Sequence, residues 1–158
     1  MGLLSRLAGW FKRSNIAQLA RLDDAPERSC AGLYRLAKVV DVYDGDTITV
    51  IMQMIDGEQY YKYKVRLNGI DTPELRTSNA SEKHAAHIVR DVLRAKINGT
   101  IVSLNLKGED KYGRLLADVY DTNAIDICQW LIDAKYALPY KGGTKVSFTQ
   151  DFLNNITQ

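Results

Sequence analysis

Between residues 33 and 70 the chain alternates apolar and polar side chains in three runs, and two Asp-Gly steps separate them. This is the feature that most restricts the fold. Alternation with β-branched and aromatic residues specifies half-buried strands, and Asp-Gly between two such runs turns the chain back on itself. "LYRLAKVVDVY", "DTITVIMQMI" and "EQYYKYKVRLNGI" therefore read as a three-stranded meander, turned at Asp44-Gly45 and at Asp56-Gly57.

The period then changes. Asn79 with Glu82 three residues on resembles a capping box. The helix it opens carries Ala85, Ile88, Val89, Val92, Leu93 and Ile97 on one face and stops at Asn98-Gly99. "TIVSLNL" and "GRLLADVY" are a fourth and a fifth strand. "NAIDICQWLIDAKYA" is a second amphipathic helix, with Pro139 as its stop. Residues 141–158 open with Gly142-Gly143 and are weakly patterned, so a third helix is expected to be short or absent. Three strands, a helix, two strands and a helix give an α+β, mainly β order. It is that of an OB-fold, a five-stranded barrel with two or three packed helices.

Residues 1–31 stand apart as an N-terminal arm and linker, with the folded domain over 32–158. Residues 1–22 hold four of the 21 basic side chains and no acid. Leu3, Leu4, Leu7, Ala8, Trp10 and Phe11 share a helical face, with Arg6, Lys12 and Arg13 opposite. Three readings stay open: an amphipathic helix on a membrane surface, a mitochondrial-type presequence, or a helix packed on the body or frayed. The remainder has 17 basic and 19 acidic residues, so the net charge of +2 conceals a body of −2. A phosphate-binding surface there must be local or compensated by a cation. Cys30 and Cys128 are far apart with no metal-type spacing, which favours a reducing, intracellular setting. Nothing indicates an assembly, and a monomer is the default expectation.

Four stretches carry polar residues that folding alone explains badly. Asp44 and Gly45 already supply the first turn, yet Asp46 follows at the head of a strand, where Asp is disfavoured. In "IDTPE", Pro73 forces Thr72 to be extended, which aims the Asp71 carboxylate and the Thr72 carbonyl at one point. With Asp46 these are three hard oxygen ligands of the kind that hold Ca²⁺ or Mg²⁺. Zinc is not suited, since the only histidines are His84 and His87 with no cysteine nearby. Arg66 and Arg114 near such a site suit a bidentate phosphate clamp. Glu74, three residues after Asp71, is placed to act as general base or to orient water. Plainer roles stay open at each position: a turn former at Asp71, solvated strand-end residues at Asp46 and Arg66, a turn-region charge at Arg114.

Taken together, "DGDT", Arg66, "IDTPE" and "DKYGR" occur in an order and spacing that resembles the staphylococcal nuclease family, over roughly residues 33–141. The resemblance implies a Ca²⁺-dependent phosphodiesterase that cuts DNA and RNA with little sequence preference and leaves 3′-phosphate ends. By it, Asp46, Asp71 and Thr72 match the metal ligands, Arg66 and Arg114 the catalytic arginines, and Glu74 the glutamate assigned as base. Lys111 and Tyr112 match a pair that contacts a terminal phosphate, and Tyr140 a further nucleotide-contacting tyrosine. The loop after Glu74, "LRTSNASEK", is shorter than the lysine-rich loop of the bacterial type enzyme. The alternatives are a non-catalytic nucleic-acid or protein-binding module on the same barrel, which predicts missing acids or arginines, and a nuclease-like domain tethered to a membrane by residues 1–22.

Overall fold

The computed structural model describes residues 29–145 and 147–158. The expectations for residues 1–22 lie outside the described residues. Five strands close into a barrel in the order β1-β2-β3-β6-β5. They are β1 (Tyr34–Val42), β2 (Thr47–Met52), β3 (Tyr61–Leu67), β5 (Ile101–Glu109) and β6 (Leu115–Tyr120). All neighbours run antiparallel except β3 and β6, which pair parallel over Val65–Leu67 and Leu115–Ala117. The expected meander and the fourth and fifth strands are present. Two short strands add to them: β4 (Ile70–Asp71) pairs antiparallel with β7 (Leu138–Pro139).

Alternation fills the barrel. Val39, Ile48, Val50, Val65, Leu104, Leu106, Ala117 and Val119 are fully buried and share one core with Val89, Leu93 and Ile97 of helix α1 (Ala80–Ile97). The cap of α1 is half of the box expected. Asn79 accepts from the Glu82 N–H at 3.1 Å. The Glu82 carboxylate, however, accepts from the Glu74 N–H and the Thr77 hydroxyl, each at 3.1 Å, rather than from Asn79.

One sequence expectation needs correction. Helix α2 (Ile127–Asp133) stops before Pro139 is reached. Lys135 takes a left-handed φ of 61°, the Tyr136 N–H reaches back to Leu131 O, and the Lys135 N–H to Ile132 O. This is the usual glycine-type helix end, built here on a lysine. Pro139 instead sits at the edge position of β7, where its missing N–H costs nothing. The tail forms a third helix, α3 (Gln150–Thr157), capped by the Thr149 hydroxyl and packed on α1 through buried Leu153 and Ile156.

Candidate active site

The polar residues picked out in the sequence gather at one end of the barrel, where the β1–β2 turn, the end of β3, β4 and the β5–β6 turn meet. The β1–β2 turn is set by Asp44, whose Oδ1 accepts from the Asp46 N–H at 3.1 Å. Gly45 is needed here for space and not for a positive φ. A Cβ on it would lie 2.6 Å from Val89 Cγ1 and 2.7 Å from Thr72 Oγ1. The turn is thus pressed onto α1 and onto the β4 exit, which carries Asp46 into the protein.

Asp46 is 7% exposed. Its Oδ1 accepts from the Thr47 hydroxyl at 2.9 Å, and its Oδ2 from the Thr72 hydroxyl at 3.3 Å. Arg66 Nη2 stands 3.0 Å from the same Oδ2 and 3.6 Å from Asp71 Oδ1. Burial pushes the Asp46 carboxyl up to about 6, against the lowering effect of Arg66. Alternation puts Arg66 on the same face of β3 as Lys62 and Lys64. Unlike those two exposed lysines it is only 8% exposed, with its guanidinium lying against Ile70 at the start of β4. Its guanidinium is fixed by donating to Leu67 O and Ile70 O, both at 2.9 Å.

Asp71 and Thr72 are buried on the exit of β4, held by the pairing of Asp71 with Leu138. Glu74 is exposed, but its backbone is tied to α1 through Glu82. Arg114 comes from the opposite wall. Asp110 shapes the β5–β6 turn by accepting from the Tyr112 and Arg114 N–H groups at 2.9 and 3.0 Å, and it holds Arg114 Nε at 2.7 Å. Burial raises the Asp110 carboxyl, but these bonds outweigh it and leave the group below its ordinary value. Arg114 Nη1 then reaches Thr47 Oγ1 at 3.1 Å, one residue from Asp46. Tyr112 is 72% exposed, which excludes a barrel-packing role. The Lys111 ammonium and the Arg114 guanidinium lie 5.0 and 5.6 Å from its ring. Tyr140 is anchored through its N–H to Gly69 O and its hydroxyl to Gly143 O.

These groups border an open groove of about 1040 Å³. Of the nine residues singled out in the sequence, all but Asp71 line it. Asp71 faces an adjoining cleft of about 260 Å³ with Glu74 and Lys145. Three contributors escaped the sequence reading: Thr47, Asp110 and Lys145. Thr47 and Asp110 lie inside the quoted motifs and act by hydrogen bonding to their neighbours. Lys145 lies in the weakly patterned tail, and no local signal marks it. Its ammonium is 2.9 Å from Asp71 Oδ1 and 2.6 Å from Glu74 Oε1.

The donor set fits a hard cation. Two carboxylates are buried side by side, and Asp71 Oδ1, fully enclosed, makes no well-formed hydrogen bond. A positive group already stands between Asp71 and Glu74. Among the described residues no three His, Cys, Asp or Glu side chains converge as a metal cluster. Two carboxylates would therefore need oxygen from the backbone or water to complete a shell.

Comparison with known proteins shows the family to which the chain is related. The staphylococcal nuclease homologue family matches residues 64–156, more than half of the chain, from β3 onward. An uncharacterized endonuclease of Escherichia coli O157:H7 is 28% identical over 112 residues, 71% of this chain and 64% of that protein. An uncharacterized protein of Methanocaldococcus jannaschii is 29% identical over 74% of this chain and 64% of its own length. A staphylococcal-like nuclease of Arabidopsis thaliana is 34% identical over 59 residues, 37% of this chain and 16% of that protein. The chain thus spans less than two thirds of the length of these relatives.

Proposed function

Since the chain belongs to the staphylococcal nuclease homologue family, we propose that it is a Ca²⁺-dependent phosphodiesterase. It hydrolyses DNA, RNA or both as an endonuclease with little sequence preference and leaves 3′-phosphate ends. The observation that carries this is the joint placement of Asp46, Asp71 and Arg66 within 3.6 Å contacts, at the edge of a groove whose other wall presents Arg114.

Each residue has a part that its surroundings favour. Asp46, Asp71 and the Thr72 carbonyl would hold the cation, with Glu74 close by. When bound, the ion supplies Lewis-acid polarisation of a phosphate oxygen and a more acidic water. Arg66 and Arg114 flank the phosphate and oppose the charge that grows on its oxygens. Both guanidiniums are fixed beforehand, Arg66 by two carbonyls and Arg114 by Asp110, so little reorganisation is required at the moment of reaction. Glu74 takes the proton of the attacking water or orients it. Lys111 meets a terminal phosphate. Tyr112 and Tyr140 offer ring faces on which bases of any identity can stack, which suits a non-specific enzyme.

Incubation with single-stranded DNA and with RNA, in Ca²⁺ or in excess chelator, tests the assignment. Cleavage should require Ca²⁺ and yield 3′-phosphate ends, and Arg114→Ala should lower the rate at least ~10²-fold. Cleavage indifferent to chelator, or an Arg114→Ala protein of full activity, would overturn it. Binding of nucleic acid without any cleavage would favour the non-catalytic module.

A further inference from the structure

Lys145 belongs to none of the motifs, yet it makes the shortest charged contacts in the acidic cleft. It follows β7 on the segment that leads to α3. In that segment Gly142 and Gly143 both take positive φ, 88° and 92°, and the Tyr140 hydroxyl donates to Gly143 O at 2.7 Å. The loop so shaped returns the Lys145 side chain, 45% exposed, to the buried Asp71. Its ammonium bridges Asp71 Oδ1 at 2.9 Å and Glu74 Oε1 at 2.6 Å. Arg66, the other cation facing Asp71, is farther away at 3.6 Å and is already committed to Asp46 and two carbonyls.

A divalent cation takes carboxylate oxygens at about 2.4 Å. An ion placed on Asp71 Oδ1 beside Glu74 would compete with the ammonium for the same two oxygens, and like charges would repel there. We infer that Lys145 is the built-in counter-ion of this cleft, and that a divalent cation binds by exchanging with it. Lys145 thereby sets the cation affinity of the site, an assignment that rests on the proposed cation pocket. The exchange is local. Lys145 is half exposed and borders the main groove as well as the cleft, so its side chain has a wet path out.

Calorimetric titration of Ca²⁺ into the chelator-stripped full chain, repeated with Lys145→Met and Lys145→Arg, tests the inference. Loss of one half-exposed ion pair corresponds to Ca²⁺ binding about fivefold tighter in the Met variant. Its thermal midpoint in chelator should fall below that of the natural chain, because Asp46 and Asp71 are then left to share Arg66 and Glu74 loses its lysine. The Arg variant keeps the charge and should bind Ca²⁺ like the natural chain. Ca²⁺ binding by the natural chain with no gain in the Met variant would overturn the role of Lys145 alone. An equal gain in the Arg variant would do the same, since charge would not be the cause. Absence of Ca²⁺ binding in all three proteins would overturn the cation pocket together with the inference.

Discussion

At the residue scale the site is a balance of buried charges, and Asp46 shows it most directly. A carboxyl that holds its proton up to about pH 6 in the folded chain and to about 3.8 in the unfolded one favours folding when protonated. Folding then takes up a proton between these values, so the contribution of Asp46 to stability declines as pH rises through that window and is level above it. Asp46→Asn removes this decline. In chelator, the melting temperature of Asp46→Asn minus that of the natural chain should grow between pH 3.8 and about 6. The full change is on the order of 3 kcal/mol. A difference that stays flat with pH would mean that Asp46 is an ordinary carboxylate. The same variant should be folded, weak in Ca²⁺ binding and largely inactive. The sequence made Asp46 legible because an acid opening a strand has no folding purpose. It left Arg66 open between a phosphate clamp and a solvated strand end, because alternation assigns a side of the strand and says nothing of what covers it.

At the element scale, turns and helix ends decide where the site residues go. Gly45 is the clearest case. A methyl group at this position overlaps Val89 of α1 and Thr72 beside Asp71, so Gly45→Ala should destabilise by about 1–3 kcal/mol. The double variant with Val89→Ala should recover part of that loss, which chemical denaturation of the four proteins of the cycle would measure. No recovery would show that Val89 is not the source of the strain, leaving the overlap with Thr72 and the turn itself. Asp-Gly was read from the sequence as a conformational signal, and that holds at Gly57, where φ is 86°. At Gly45 the same dipeptide serves close approach, a tertiary requirement that two letters cannot express. The end of α2 was misread for a related reason. A lysine at left-handed φ carries no mark in the sequence, whereas Pro139 does, so the visible stop was preferred over the actual one. Glu82 is a milder instance: the residue was right, but its carboxylate turns outward to hold Glu74 and Thr77.

At the scale of the whole molecule, the barrel and its strand order were legible because hydrophobic alternation is a local property. The mixed joint between β3 and β6 was not, since it arises from closing the sheet on itself. Nor was α3, whose apolar positions acquire meaning only against α1. That helix packs Leu153, 1% exposed, into the same core as the barrel. Leu153→Ala should therefore lower the global unfolding free energy by about 2–4 kcal/mol in one cooperative transition. A separate early transition, with the barrel unaffected, would show that α3 is an independent appendage. The body has more acid than base, but its groove is lined by Arg66, Arg76, Lys111, Arg114, Lys141 and Lys145 against Asp44, Asp46, Glu74 and Asp110. The positive surface is thus local, as the charge count required.

The pairing of β4 with β7 joins Asp71 to Leu138, and the Tyr140 N–H to Gly69 O, across a long interval of sequence. The barrel strands themselves end at Tyr120. Synthesis runs from the N-terminus, and folding follows it. A growing chain thus has all its barrel strands before the segment that braces Asp71 exists. The acidic cleft is completed only when residues 138–145 have been made and laid back against residues 69–74. Until then the nascent chain carries its barrel strands without a finished centre.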